Sequence, residues 1–211
     1  VLLAIDTSAG TSVAVVDLAQ GVIAERGVAD TMRHAEVIGA LIRDCLAEAH
    51  VPASALSGVV GGMGPGPFTG LRVGIVAARV FALGINRPLV PVISHDAIAY
   101  GSYRTGHTGP LLVVTDARRR EVYWSAYSGA EANGLPVRIG DPALAKPAEL
   151  LEAGFEHAGL PRLDAGTISA GDLGMVAEHA FAAGRPFAAD TALYLRSPDV
   201  TVSKNGPKRV S

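Results

Sequence analysis

Cys45 is the single cysteine in 211 residues, so no internal disulfide can form and a reducing compartment suits the chain. Charge is also scarce. Charged residues make up 18% and the formal net charge is −2, which excludes a general nucleic-acid coat and leaves only a local basic patch open. Long apolar runs are missing: the longest, 74–85, is broken by Arg79 and is too short to span a bilayer. No basic n-region precedes the strand-like opening, so these residues hold no signal peptide, and the expected setting is cytoplasmic with no membrane partner. No low-complexity linker divides the chain. Half of it is hydrophobic, enough for a substantial core, with disorder expected only in the polar tail from Ser197.

Several chemical signatures are missing too. The run Gly64-Pro65-Gly66-Pro67-Phe68-Thr69-Gly70-Leu71-Arg72-Val73-Gly74 joins a strand to a helix, yet Leu71 and Arg72 stand where a P-loop needs Lys and Ser or Thr. Pro67 occupies the third-glycine position of a dinucleotide fingerprint counted from Gly62 and Gly64. His34 has Ile38 one turn on, not a second metal ligand, and the remaining histidines are scattered, so no metal site is expected. No Gly-x-Ser-x-Gly elbow supports a protease, and Cys45 falls on an apolar stripe, so no catalytic residue is assigned.

What is present is a pattern that occurs twice. Val1 to Asp6 is an apolar run ending in aspartate, followed by the turn Thr7-Ser8-Ala9-Gly10-Thr11 and a second β-rich run, 12–18. Leu111 to Asp116, the turn Ala117-Arg118-Arg119-Arg120 and the run 121–127 follow the same plan, which points to duplicated α/β units. The boundary falls at the Gly-rich stretch 103–109, giving units 1–105 and 106–211. Between the hairpins, 32–49 and 69–84 have helical periodicity, with Asp30 or Thr31 as cap of the first, and 59–62 and 89–93 read as strands. Further on, 167–169 reads as a strand, 175–183 as a helix stopped by Pro186, and 190–194 as a short helix.

Three features allow functional readings. Asp6, Thr7 and Ser8 either hold phosphate, with Asp6 near a metal, or satisfy an ordinary turn. The second turn has no glycine to bring backbone amides to a phosphate; its three arginines are either a solvated turn or an anion contact. The helix 69–84 is apolar nearly all round. Gly70, Gly74, Ala77, Ala78 and Phe81 form a mostly small face, and Arg72 and Arg79 lie together as the only interruption. Either the neighbouring helix covers it or a partner does. On the first helix His34, Ile38, Leu41, Ile42 and Cys45 share the apolar stripe.

Leu3-Ala4-Ile5-Asp6-Thr7-Ser8, Arg33-His34-Ala35-Glu36, the Gly64 to Gly74 run, Asp116 to Tyr123 and Tyr194-Leu195-Arg196 together resemble the TsaB family, in order and over nearly the whole chain. The resemblance implies an α/β fold of the actin-like ATPase (ASKHA) type, with two duplicated subdomains of mixed sheets and flanking helices and a tail packing back on the first. It implies a non-catalytic scaffold that pairs with TsaD and TsaE in threonylcarbamoyl transfer to the tRNA adenosine beside the anticodon. Such a chain is a homodimer when alone, meets tRNA indirectly and has no cofactor of its own; ATP or ADP and metal belong to its partners. The pairing surface it implies is Arg33, His34, Ile38, Leu41, Ile42, Cys45, Gly70, Arg72, Gly74, Ala77, Ala78 and Phe81, with Asp6, Thr7 and Ser8 as a vestigial phosphate contact. Pro67 departs from the Ser usual in the family, which removes a hydroxyl from the loop. The alternative is a small ATP-dependent phosphotransferase of the sugar-kinase and actin type.

Overall fold

The computed structural model describes residues 1–30, 32–152 and 154–196. The proposed cap Thr31 and the tail from Ser197 lie outside them. Strands β1 (Leu2–Asp6), β2 (Thr11–Asp17) and β3 (Gly21–Val28) form an antiparallel meander, and β4 (Gly58–Gly62) and β5 (Leu89–Val92) extend it in parallel, in the order β3-β2-β1-β4-β5. The second sheet repeats this plan. Strands β6 (Leu111–Asp116), β7 (Val122–Ala130) and β8 (Pro136–Ala145) are antiparallel, and β9 (Arg162–Ala165) runs parallel to β6, in the order β8-β7-β6-β9. Asp6 pairs with Ser12 and Asp116 with Val122, so residues 7–11 and 117–121 are matching turns at matching strand ends.

Strand β1 is central and buried on both faces, which explains its unbroken apolar run. Leu3 and Ile5 face α1 (His34–Glu48) and α2 (Phe68–Gly84), together with Val13, Val15, Ile38, Ile42, Cys45, Ala78 and Ala82. Ala4 faces the opposite core, shared with α3 (Ser94–Arg104) and α4 (Ala170–Ala182). Helix α4 comes from the second half of the chain yet lies on the first sheet: a Cβ at Gly174 would sit 2.6 Å from Val16. Its N-terminus is held by that sheet. Ser12 Oγ accepts from the Ala170 amide (3.0 Å), Glu25 Oε1 from the Gly171 amide (3.2 Å), and Ser169 Oγ caps the Asp172 amide at 2.9 Å. The Glu25 carboxylate thus occupies the anion position that the helix start offers.

Some elements differ from the sequence expectation. Strand β3 and helix α3 carry no clean apolar period, and β8 is interrupted by Gly140 and Pro142 and loses register against β7. The strand expected at 167–169 lies instead at Arg162–Ala165. Residues 190–194 form no helix; Leu193 N–H donates to the Met63 carbonyl at 2.8 Å, which ties this segment to the first half. Helix α4 starts five residues earlier than the expected 175 and ends at Ala182. Gly184, at φ 63°, turns the chain before Pro186 is reached. Among the described residues no helix is long and apolar enough to cross a membrane.

Candidate functional site

The first turn is closed. Asp6 and Thr7 are each 2% exposed and Ser8 6%. Asp6 Oδ1 accepts from the Ser8 amide at 2.7 Å, and Oδ2 accepts from Ser94 Oγ at 2.5 Å and Ser8 Oγ at 3.2 Å. Burial pushes the Asp6 carboxyl above its usual range, against the hydrogen bonds from Ser94 and Ser8 that favour the ion. The Gly-Pro loop forms the lid. A Cβ on Gly66 would stand 2.9 Å from Ser8 Cα, and the Gly64 amide donates to Ser94 Oγ at 3.0 Å. Backbone therefore fills the space where a phosphate would approach, and the Asp6 and Ser8 side chains are spent on holding the turn.

Thr7 also binds α2. Its hydroxyl donates to the Gly70 carbonyl at 2.7 Å and accepts from the Gly74 amide at 3.1 Å. A Cβ at Gly70 would lie 2.7 Å from the Thr7 carbonyl oxygen and 3.2 Å from His34 Nε2; one at Gly74 would lie 3.0 Å from Thr7 Cβ. The small-residue face is thus turned inward, where it lets α2 descend onto the first turn and onto α1. Of the residues expected at a partner surface, His34, Ile38, Ile42, Cys45, Gly70, Gly74 and Ala78 are buried within the chain, and Leu41, Ala77 and Phe81 are half-buried. His34 Nδ1 is 2.8 Å from Thr11 Oγ1. Cys45 donates to the Val13 and Ala24 carbonyls, and burial pushes its thiol up to about 11. Arg33 and Arg72 are exposed.

The open face of α2 is a different one. Val76 is 52% exposed, Val80 63% and Leu83 81%, at helical spacing on one side. Helical spacing is visible in the sequence, but the direction of each face is not: it leaves open whether the neighbouring helix or a partner covers Gly70 and Gly74, because their close neighbour, Thr7, is distant in the chain.

A second buried site escaped the sequence reading. Ser94, His95 and Asp96 open α3 and reach three ways. Ser94 binds Asp6 on the first sheet; Asp96 accepts from Tyr127 (2.8 Å) and from Arg138 (2.7 and 2.8 Å) on the second. His95, fully buried, lies 2.8 Å from Ser125 Oγ and 2.9 Å from Thr115 Oγ1, and burial lowers its pKa to about 3, helped by the charge of Arg138. The Ser125–His95 pair has the spacing of a nucleophile and base, but both residues are 0% exposed and the other ring nitrogen meets a hydroxyl, not a carboxylate. It stitches helix to sheet. Among the described residues no three His, Cys, Asp or Glu side chains converge as a metal set.

In the second turn Arg118, Arg119 and Arg120 are exposed, all at positive φ (65°, 52° and 63°). Arg196 joins this turn to the segment after α4: Nη1 donates to the Ala117 carbonyl at 2.9 Å, and Nε lies 3.6 Å from Glu121.

Two sheets of one repeated order, each opened by an aspartate-ended hairpin, define an actin-like ATPase fold whose first phosphate turn is sealed by its own chain. A solved Pseudomonas aeruginosa protein, described as uncharacterized and similar to peptidase YeaZ, matches with a TM-score of 0.76 and 29% identity over 92% of this chain and 99% of that one. The model of the family described as TsaD, tRNA N6-adenosine threonylcarbamoyltransferase, matches residues 22–182, and the chain belongs to this family. Within it the chain is TsaB-like. It is 34% identical to the Escherichia coli tRNA threonylcarbamoyladenosine biosynthesis protein TsaB, over 48% of this chain and 44% of that one. It is 38% identical to an uncharacterized Mycobacterium leprae protein, over 94% of this chain. The chain spans 55% of the length of that mycobacterial relative.

Proposed function

We infer that this chain is a non-catalytic scaffold and activator subunit. It pairs with a TsaD-like protein, and with a TsaE-like ATPase, for threonylcarbamoyl transfer to the tRNA adenosine beside the anticodon. The observation that carries this reading is the apolar stripe Val76, Val80 and Leu83 on a helix whose inner face is already packed. The names of the relatives supply the chemistry of the complex. Alone, the chain covers the same stripe with a second copy. Units 1–105 and 106–211 are the duplicated halves of this scaffold, and α4 of the second is docked on the first. It carries no cofactor of its own; ATP or ADP and metal sit on the partner subunits.

The pairing surface differs from the one that the sequence suggests: it is the outer side of α2, flanked by Arg72 and Arg79, and not the Gly70–Gly74 side. Val80→Asp with Leu83→Asp should therefore convert the homodimer to monomer in light scattering. The pair should weaken capture of the TsaD-like partner by about 10- to 100-fold, because two carboxylates would lose their hydration where apolar side chains now pack. Both positions are exposed in the single chain, so the melting temperature of the monomer should move by only a few degrees. Undiminished pairing by this variant would refute the assignment.

The phosphotransferase alternative needs a reachable Asp6. With its carboxylate 2% exposed and three donors already on it, isothermal calorimetry of the isolated chain with Mg-ATP should show no submicromolar binding. Tight binding with turnover would restore that alternative.

A further inference from the structure

The first half and the second turn are joined by a strip in which a pair of aromatic rings lies between arginines. At one end the Arg72 guanidinium lies 5.2 Å from the centre of the Phe68 ring. Phe68 meets Tyr194 at 4.8 Å between centroids, with the rings tilted by 46°, and Tyr194 remains 43% exposed. Two residues on, Arg196 is anchored to Ala117 and Glu121. At the other end are the exposed Arg118, Arg119 and Arg120.

That turn is built at a conformational cost. Left-handed backbone is disfavoured for any residue with a Cβ, and Gly, Asn or Asp would fit it better. The chain instead sets three arginines there in succession, all of them exposed. Strain held at a surface turn by residues unsuited to it points to a use for their side chains. Among the described residues the strip carries five arginines, with Arg118 beside Asp116 and Arg196 beside Glu121, in a chain whose formal net charge is −2.

We propose that this strip, from Arg72 through Phe68, Tyr194 and Arg196 to the Arg118–Arg120 turn, binds a single-stranded segment of RNA. Unpaired bases stack on aromatic and guanidinium planes, and arginines match phosphate oxygens; duplex RNA offers its phosphates but keeps its base faces covered. An acidic protein would use the charges but not the exposed ring. The inference rests on the tRNA-modification reading above and deepens it, since it gives this chain a direct contact with the RNA in place of the indirect one that the family resemblance implies.

The test is fluorescence anisotropy of the full chain with labelled oligoadenylate, a blunt RNA duplex and polyglutamate as competitors. Oligoadenylate should bind and outcompete both. Tyr194→Ala should weaken that binding by about 5-fold or more. Arg119→Gln with Arg120→Gln should weaken it by about 10-fold at low salt and lower the log–log salt slope by about 1.4. Thermal melts check that each variant is folded. Equal competition by duplex, or by polyglutamate, would overturn the proposal, the latter in favour of an acidic protein partner; so would wild-type affinity in folded variants. Val80→Asp with Leu83→Asp separates this from the scaffold reading. That variant should lose pairing and keep RNA binding; in the wild-type chain, absent RNA binding with intact pairing to the TsaD-like partner sinks the RNA proposal alone, and absent pairing with intact RNA binding sinks the scaffold reading alone.

Discussion

Gly62→Ala and Gly74→Ala are each expected to destabilise the protein by about 4 kcal/mol or more, close to the whole stability of many domains. Both sites are closed by short side chains that hydrogen bonds hold in place. A Cβ at Gly62 would run into the Asp6 carboxylate and stand 2.8 Å from Ser94 Oγ, displacing the bonds that satisfy a buried charge. A Cβ at Gly74 would press on Thr7, which bridges Gly70 and Gly74 through its hydroxyl. Breaking either arrangement strands buried polar atoms, so the cost exceeds that of overpacking alone. Gly39→Ala is the control: nothing lies within 4 Å of its Cβ position, and it should stabilise α1 by about 0.5–1 kcal/mol. Urea denaturation of the three variants measures this directly. Wild-type midpoints for Gly62→Ala and Gly74→Ala would contradict the closed turn.

His95 should give the protein a marked sensitivity to acid. Its folded pKa, about 3, lies below the ordinary 6.5, so between these values the unfolded chain binds a proton that the native chain refuses. Stability contributed by the neutral ring is complete above about pH 6.5 and is lost as pH falls toward 3, by at most about 1.4 kcal/mol per pH unit. Asp6 and Asp96 act in the opposite sense. Burial raises both, so the native state takes up protons more readily than the unfolded one and their contribution grows as pH falls. The comparison with His95→Gln isolates the imidazole, because glutamine can serve Thr115 and Ser125 without titrating. Unfolding free energy from urea denaturation, followed from pH 7 to 4.5, should fall more steeply for wild type than for His95→Gln, by roughly 2 kcal/mol across the range. Parallel curves would mean that His95 is not sealed between α3 and the second sheet.

Much of this architecture is legible in the chain. The two aspartate-ended hairpins are visible because a central strand buried on both faces has to be a continuous apolar run, as in Leu2 to Asp6 and Leu111 to Asp116. Helices α1 and α2 show their period for a related reason, having one deeply packed side. Strands β3 and β8 lie at sheet edges with polar outward positions, and β8 is bulged, so neither offers a clean alternation. Helix α3 is harder still. Its opening residues Ser94, His95 and Asp96 are polar in sequence yet take part in buried bonds whose partners lie 20–88 positions away. No local pattern announces that. The same limit applied to the site. Asp6, Thr7 and Ser8 allow a phosphate turn until Gly66 and Ser94 are seen closing over them, and Gly70 and Gly74 allow a partner surface until Thr7 is seen packed against them. What the sequence did expose was an α2 with more apolar surface than its own fold needs, and that excess is the Val76–Val80–Leu83 stripe.

The most direct test of the scaffold role is a reconstituted modification reaction with purified TsaD-like and TsaE-like partners, tRNA and the activated threonylcarbamoyl donor, run with and without this chain. Modified adenosine should form only when the chain is added, and Val80→Asp with Leu83→Asp should fail to restore it while remaining folded. Equal modification in the absence of the chain, or full restoration by that variant, would contradict a scaffold that works through the outer face of α2.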